Sequence, residues 1–230
     1  MKLIPNIKSP KIAIVDFGMG NLFSVKHMCS HVGMDAKITS SKQEILSADA
    51  VILPGVGAFG DAMDTLRKLD LVDTLKKVTM SNKPLIGICL GMQLLMSKSY
   101  EFGIHKGLDI IKGDVIRFDN PIDKSKKLKV PHIGWNRIYL AKKISTQDDK
   151  WSKTLLNGLS NNEFMYFVHS FYVRPVNSDI ILSLTKYGNI EFCSSFQYKN
   201  IFGCQFHPER SGSQGMKIYR NLISFIKKCL

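Results

Sequence analysis

The sequence predicts an α/β domain: a central mixed, mostly parallel sheet flanked by helices. Three observations lead there. Through the first hundred residues, short continuously apolar runs alternate with segments of helical period, as expected of parallel strands covered on both faces. The second half changes to short strand-like runs parted by turn signals such as Lys186-Tyr187-Gly188-Asn189, which reads as an antiparallel portion of the same sheet. The chain has 230 residues, 44% of them hydrophobic, enough for one sizeable core.

Residues 11–16 read as a first buried strand, closed by Gly18-Met19-Gly20. Asn21 is placed to cap a helix that runs to His31 and is ended by Gly33. Residues 36–39 and 50–53 are the second and third strands, residues 61–69 and 71–80 are helical, and residues 85–89 form the fourth strand with a helix over 90–98. Strand-like runs follow at 113–117, 137–140, 164–168, 180–187, 190–197 and 201–206, before a long helix over 215–229. Each crossover between parallel strands should be right-handed. No linker, repeat or low-complexity tract divides the chain, so residues 1–10 are taken as an N-terminal extension and 11–230 as one domain.

Composition excludes several classes. The formal net charge of +13 suggests a nucleic-acid partner, but 26 of the 32 basic residues are lysine and they are spread along the chain, whereas base readers lean on arginine forks. No nucleic-acid partner is expected, and the dense run Lys124-Ser125-Lys126-Lys127-Leu128-Lys129 reads as a solvated loop or a docking patch for an acidic partner. No apolar run approaches the roughly 18 residues of a membrane span, and residues 1–10 lack the apolar core of a secretory signal. Five cysteines (Cys29, Cys89, Cys193, Cys204, Cys229) form an odd set without a C-x-x-C pair, which suits a reducing cytoplasm better than a disulfide framework or a zinc site. No metal or other cofactor is expected. His27 and His31 are four apart on a predicted helix but lack the glutamate of an H-E-x-x-H pattern.

The chemistry concentrates in Gly87-Ile88-Cys89-Leu90-Gly91, where a strand-like run meets a helix-like one. This is the pattern of a nucleophile elbow with sulfur for oxygen. A sharp turn lifts one side chain into open space, glycines two places either side relieve crowding, and the helix N-terminus beyond favours a negative charge. A cysteine nucleophile needs a base, and the base an orienter. In Gln205-Phe206-His207-Pro208-Glu209, Pro208 biases His207 to an extended backbone, and residues two apart then share a face, so Glu209 can reach the ring from behind and fix its tautomer. Gly55-Val56-Gly57-Ala58-Phe59-Gly60 matches a dinucleotide fingerprint by letter, but the acidic candidates about 20 residues on, Asp70 and Asp73, fall in helical sequence. Its backbone N–H groups can instead supply half an oxyanion hole, with Leu90 N–H as the other half.

These residues resemble the class I (triad) glutamine amidotransferases. More narrowly, residues 54–63, Pro131-His132-Ile133-Gly134-Trp135-Asn136 and Tyr166-Phe167-Val168-His169-Ser170 look like the glutaminase subunit of imidazole glycerol phosphate synthase. The resemblance implies the class I glutamine amidotransferase (flavodoxin-like) fold. It implies that Cys89 attacks the side-chain amide of glutamine, that His207 moves the proton and that Glu209 orients the ring. It puts the oxyanion at backbone N–H groups of Gly55, Val56 and Leu90. Gln93 and Glu101 would bind the glutamine head together with His169, Ser170 and Phe171, and Trp135 and Asn136 would lie against a barrel-shaped cyclase subunit in a heterodimer. Phe171 and Phe102 depart from the tyrosine and small residue expected of the histidine-pathway enzyme. A paralogous glutaminase feeding ammonia to sugar amidation, a stand-alone cysteine hydrolase and a nucleotide-binding module remain as alternatives. A glutaminase of this type uses nearly all 230 residues, so the ammonia acceptor is expected on another polypeptide, with a flip of the Pro54-Gly55 peptide as the switch that keeps the lone subunit quiet.

Overall fold

The structure, a computed structural model, describes residues 9–141 and 151–229; of the expected N-terminal extension, residues 1–8 lie outside the described residues. The first half runs β1 (Lys11–Val15), α1 (Leu22–His31), β2 (Asp35–Thr39), α2 (Lys42–Ser47), β3 (Ala50–Gly55), α3 (Phe59–Lys68), α4 (Val72–Met80), β4 (Leu85–Cys89) and α5 (Leu90–Leu94). Next come β5 (Met96–Ser99), β6 (His105–Lys106), β7 (Ile111–Arg117) and a small hairpin of β8 (Ile122–Asp123) and β9 (Lys126–Lys127). Then follow β10 (His132–Leu140), β11 (Glu163–His169), β12 (Phe171–Pro175), β13 (Ile181–Tyr187), β14 (Ile190–Tyr198), β15 (Ile201–Cys204) and α6 (Gly212–Cys229).

Nine strands form the main sheet in the order β11-β10-β13-β14-β15-β4-β3-β1-β2. The half from β2 to β15 is parallel and the half from β15 to β11 antiparallel, as the change of pattern along the sequence predicts. The parallel strands are buried on both faces because their residues alternate between two cores. Ile12, Ile14, Ile52, Ile86 and Ile88 pack with α1 and α6, while Ala13, Val15, Val51, Leu53 and Leu85 pack with α3 and α4. Parallel pairing sets β3, β4 and β15 side by side with their C-terminal ends at one rim, where ligands bind in open α/β sheets. Among the described residues no helix is long and apolar enough to cross a membrane.

The structure corrects several sequence expectations. The helix expected over 90–98 is the five-residue α5, all of it buried, and the chain then turns into β5. Leu94, Leu95 and Met96 are buried all round rather than along a stripe, and pairing of β5 with β7 overrides the local helical tendency. A second sheet, β12-β7-β5-β6, thus stands beside the main one. Its strands β5, β6 and β12, and the short helix α2, have no clear period in the sequence. The last expected strand stops at Cys204, before Gln205 and Phe206, and α6 begins at Gly212, three residues early.

Candidate active site

Cys89 ends β4 with φ 54° and ψ −111°, a left-handed conformation that costs a non-glycine residue on the order of 1–3 kcal/mol. The flanking glycines show why the turn tolerates nothing larger. A Cβ on Gly91 would stand 1.7 Å from Leu53 O, and one on Gly87 2.8 Å from Met92 Cα. The elbow is therefore clamped between the ends of β3 and α5, and its side chain is directed to the rim of the sheet. Burial pushes the thiols of Cys29, Cys193 and Cys204 upward, Cys29 to about 12, which marks them as inert core sulfurs.

His207 follows β15, the strand parallel to β4, with an extended backbone as the following proline requires. Its N–H donates to Tyr166 O at 2.9 Å and its carbonyl accepts from Ser211 Oγ at 2.7 Å, so the residue is held from both sides. Nδ1 lies 2.8 Å from Glu209 Oε1, in a pair whose side chains are nearly inaccessible. Nε2 is buried and makes no well-formed hydrogen bond at rest. Burial lowers the pKa of the ring, but the nearby Cys89 sulfur and the Glu209 carboxylate outweigh it and raise it to about 10. An imidazole of that strength holds a proton received from a thiol. Cysteine, histidine and glutamate, 118 and 2 residues apart in sequence, thus converge where two parallel strands end together.

A cleft of about 170 Å³ opens on this sulfur, lined by Val56, Gly57, Cys89, Leu90, Gln93 and residues 168–171. That volume lies below the usual 300–1,000 Å³ of sites for drug-sized ligands and suits one small molecule. The structure brings together Cys89, Leu90, Val56, Gln93, His169, Ser170 and Phe171. Gly55 lies just behind, paired with Cys89 in the β3–β4 ladder. Cys89 Sγ donates to Val168 O at 3.8 Å and accepts from Gln205 Nε2 at 3.6 Å. The sequence does not single out Gln205, although it opens the very motif that contains His207. Its place one strand-step before His207 is the signal that could mark it.

The structure places the other expected site residues as follows. Glu101 does not line the cleft: its Oε2 accepts the Phe59 N–H at 2.6 Å and caps α3, whose own N-cap residue, Ala58, supplies no side-chain bond. A carboxylate there also occupies one N–H of the helix end on which a pyrophosphate would sit and sets a negative charge beside it, which argues against the dinucleotide reading of the glycine loop. Trp135 and Asn136 do not share a face, because neighbours on a strand point to opposite sides. Trp135 is 55% exposed, while the Asn136 amide turns inward to His132 and Lys186 O. His27 and His31 lie exposed along α1, and among the described residues no cluster of three His, Cys, Asp or Glu side chains could hold a metal ion.

With this geometry, residues 13–225 match the family described as glutamine amidotransferase class-I. The chain belongs to that family. The amidotransferase is similar to imidazole glycerol phosphate synthase subunit HisH of Caldanaerobacter subterraneus subsp. tengcongensis, at 44% identity over 219 residues, covering 95% of this chain and all of that one. The HisH subunit of Aquifex aeolicus is 42% identical, over 92% of this chain and 95% of that one. Among solved structures, PurLQS from Thermotoga maritima superposes on the amidotransferase with a TM-score of 0.69 at 16% identity, covering 94% of this chain and 99% of that one. A glutamine amidotransferase from Thermotoga maritima gives 0.57 at 15% identity, covering 95% of this chain and 85% of that one. These last two likenesses concern the fold.

Proposed function

We propose that this amidotransferase is the glutaminase subunit of an imidazole glycerol phosphate synthase. It hydrolyses glutamine to glutamate and ammonia, and the ammonia passes to a cyclase subunit that forms imidazole glycerol phosphate and AICAR. Cys89 Sγ attacks the carboxamide carbon while its proton goes to His207 Nε2, and Glu209 stabilises the imidazolium. Backbone N–H groups at Leu90 and along Gly55 and Val56 are the candidates to hold the oxyanion. His207 returns the proton to the departing nitrogen, releasing ammonia and leaving a glutamyl thioester. Water, deprotonated by His207, cleaves the thioester to glutamate and restores the thiol. The observation that carries this reading is the strained Cys89 elbow opening on a small cleft, with the buried His207–Glu209 pair beside its sulfur, in a chain 44% identical to a HisH subunit along nearly its whole length.

Docking of a partner is supported by the outer face of β10–β11. Ile133 is 61% exposed, Trp135 55% and Phe164 43%, on one face of two paired strands. Trp135 meets Tyr166 edge-on, and the Arg137 and Arg210 guanidinium groups lie over Phe164 and Tyr166. Exposed aromatic surface with arginine is the composition of a protein interface, and Val168 on this face borders the cleft. Glutamate release measured with and without the cyclase tests the whole reading. Cys89→Ala should abolish release and the cyclase should stimulate the native chain. Indifference to glutamine, or full activity without the cyclase, would count against the function or the Pro54-Gly55 switch respectively. If ammonia from the chain served only a sugar-amidating partner, the paralogous reading would replace this one.

A further inference from the structure

Beside the cleft runs a buried hydrogen-bond chain that the triad does not use. Asn136 Nδ2 lies 3.2 Å from His132 Nε2, His132 Nδ1 lies 3.1 Å from His169 Nε2, and His169 Nδ1 lies 2.8 Å from Phe171 O. The two histidines are cross-strand partners on β10 and β11, and both are buried. The direction of every bond follows independently from the two ends. At one end a carbonyl can only accept, so His169 carries its proton on Nδ1. At the other, the Asn136 amide is oriented by Nδ2 donating to Lys186 O at 2.8 Å and Oδ1 accepting from Arg137 N–H at 2.7 Å. Nδ2 therefore donates to a bare His132 Nε2, and His132 carries its proton on Nδ1, directed at the bare Nε2 of His169. Burial keeps both rings neutral, with pKa values lowered to about 4 at His132 and about 3 at His169.

This chain ends on an atom of the cleft wall. Phe171 O also accepts from Gln93 Nε2 at 3.0 Å, and Gln93 Nε2 gives its second hydrogen to Gln205 Oε1 at 3.0 Å. Gln93 has no other side-chain N–H, so what it can offer a ligand is its carbonyl oxygen, an acceptor suited to a primary amide or an ammonium group. We propose that His132 and His169 are positioning residues for glutamine: they pin the Phe171 carbonyl, which holds the Gln93 amide with its oxygen to the substrate. They also tie that orientation to Asn136, on the strand whose outer face carries Trp135. The proposal rests on the glutaminase reading.

Two measurements test it. Nitrogen-15 NMR of the full chain at pH 7, assigned with His132→Asn and His169→Asn, should find both rings in the Nδ1–H tautomer; an Nε2–H tautomer on either ring overturns the proposal. In the complex with the cyclase, His169→Ala should raise KM for glutamine about fivefold to tenfold with a smaller change in kcat, and His169→Asn, which keeps a donor near the Nδ1 position, should recover KM to within about twofold. Equal rises in KM for the alanine and asparagine variants overturn it. Absence of glutamate release by the native complex would instead remove the glutaminase reading, and the tautomers would still be measured on the native chain.

Discussion

At Cys89 the backbone stores strain that only a tightly clamped turn can hold, and the clamp is made of two missing side chains. Gly87 and Gly91 let Met92 and Leu53 come within distances that a Cβ would forbid. The partner residues are held as firmly: His207 by Tyr166 O and Ser211 Oγ, Glu209 by its burial against the ring. Glu209 reaches only the far nitrogen of the ring, so its loss should affect the reacting state more than substrate binding. Glu209→Gln should lower kcat at least about 100-fold and leave KM within about threefold, read by steady-state glutaminase assays of the cyclase complex. A change confined to KM would contradict the triad. The approach of Cys89, His207 and Glu209 is legible from two short motifs, although Glu209 reaches the ring from a 3-10 turn over Pro208–Arg210 rather than along an extended strand.

At the level of elements, the elbow needs β3 to run directly against α5. Gly91→Ala would force its new methyl onto Leu53 O in β3. We expect it to destabilise the chain by about 2 kcal/mol or more, lowering the urea midpoint, and an unchanged midpoint would mean the strand and helix can separate freely. The parallel strands β1, β3 and β4 can be read from sequence because burial on both faces writes them as unbroken apolar runs. By contrast β5, β6 and β12 are short and owe their shape to neighbours distant in the chain, and α5 is too short and too evenly buried to show a helical period. The bond from Phe59 N–H to Glu101 is not legible in the sequence, because the two residues lie 42 apart. The inward bonds of Asn136 are not legible for a different reason: a motif marks which residues matter and not which side of a strand each one faces.

Taken whole, the molecule carries two buried neutral histidines and one exposed aromatic face, and both have global effects. Unfolded histidine titrates near 6.5, so as pH falls below that value the unfolded chain takes up protons that His132 and His169 refuse until about pH 4 and 3. Stability is therefore present above 6.5 and is lost going down through that window, on the order of 2 kcal/mol from each ring between pH 7 and 5. Urea unfolding should show a larger fall over that interval in the native chain than in the His132→Asn/His169→Asn double variant; equal falls would place the acid sensitivity elsewhere. The face of Ile133, Trp135 and Phe164 has a consequence for the cell that makes this chain. With a partner subunit seated there as proposed above, copies synthesised in excess of it would leave greasy rings uncovered and tend to clump, so production of the two polypeptides in matched amounts would protect solubility.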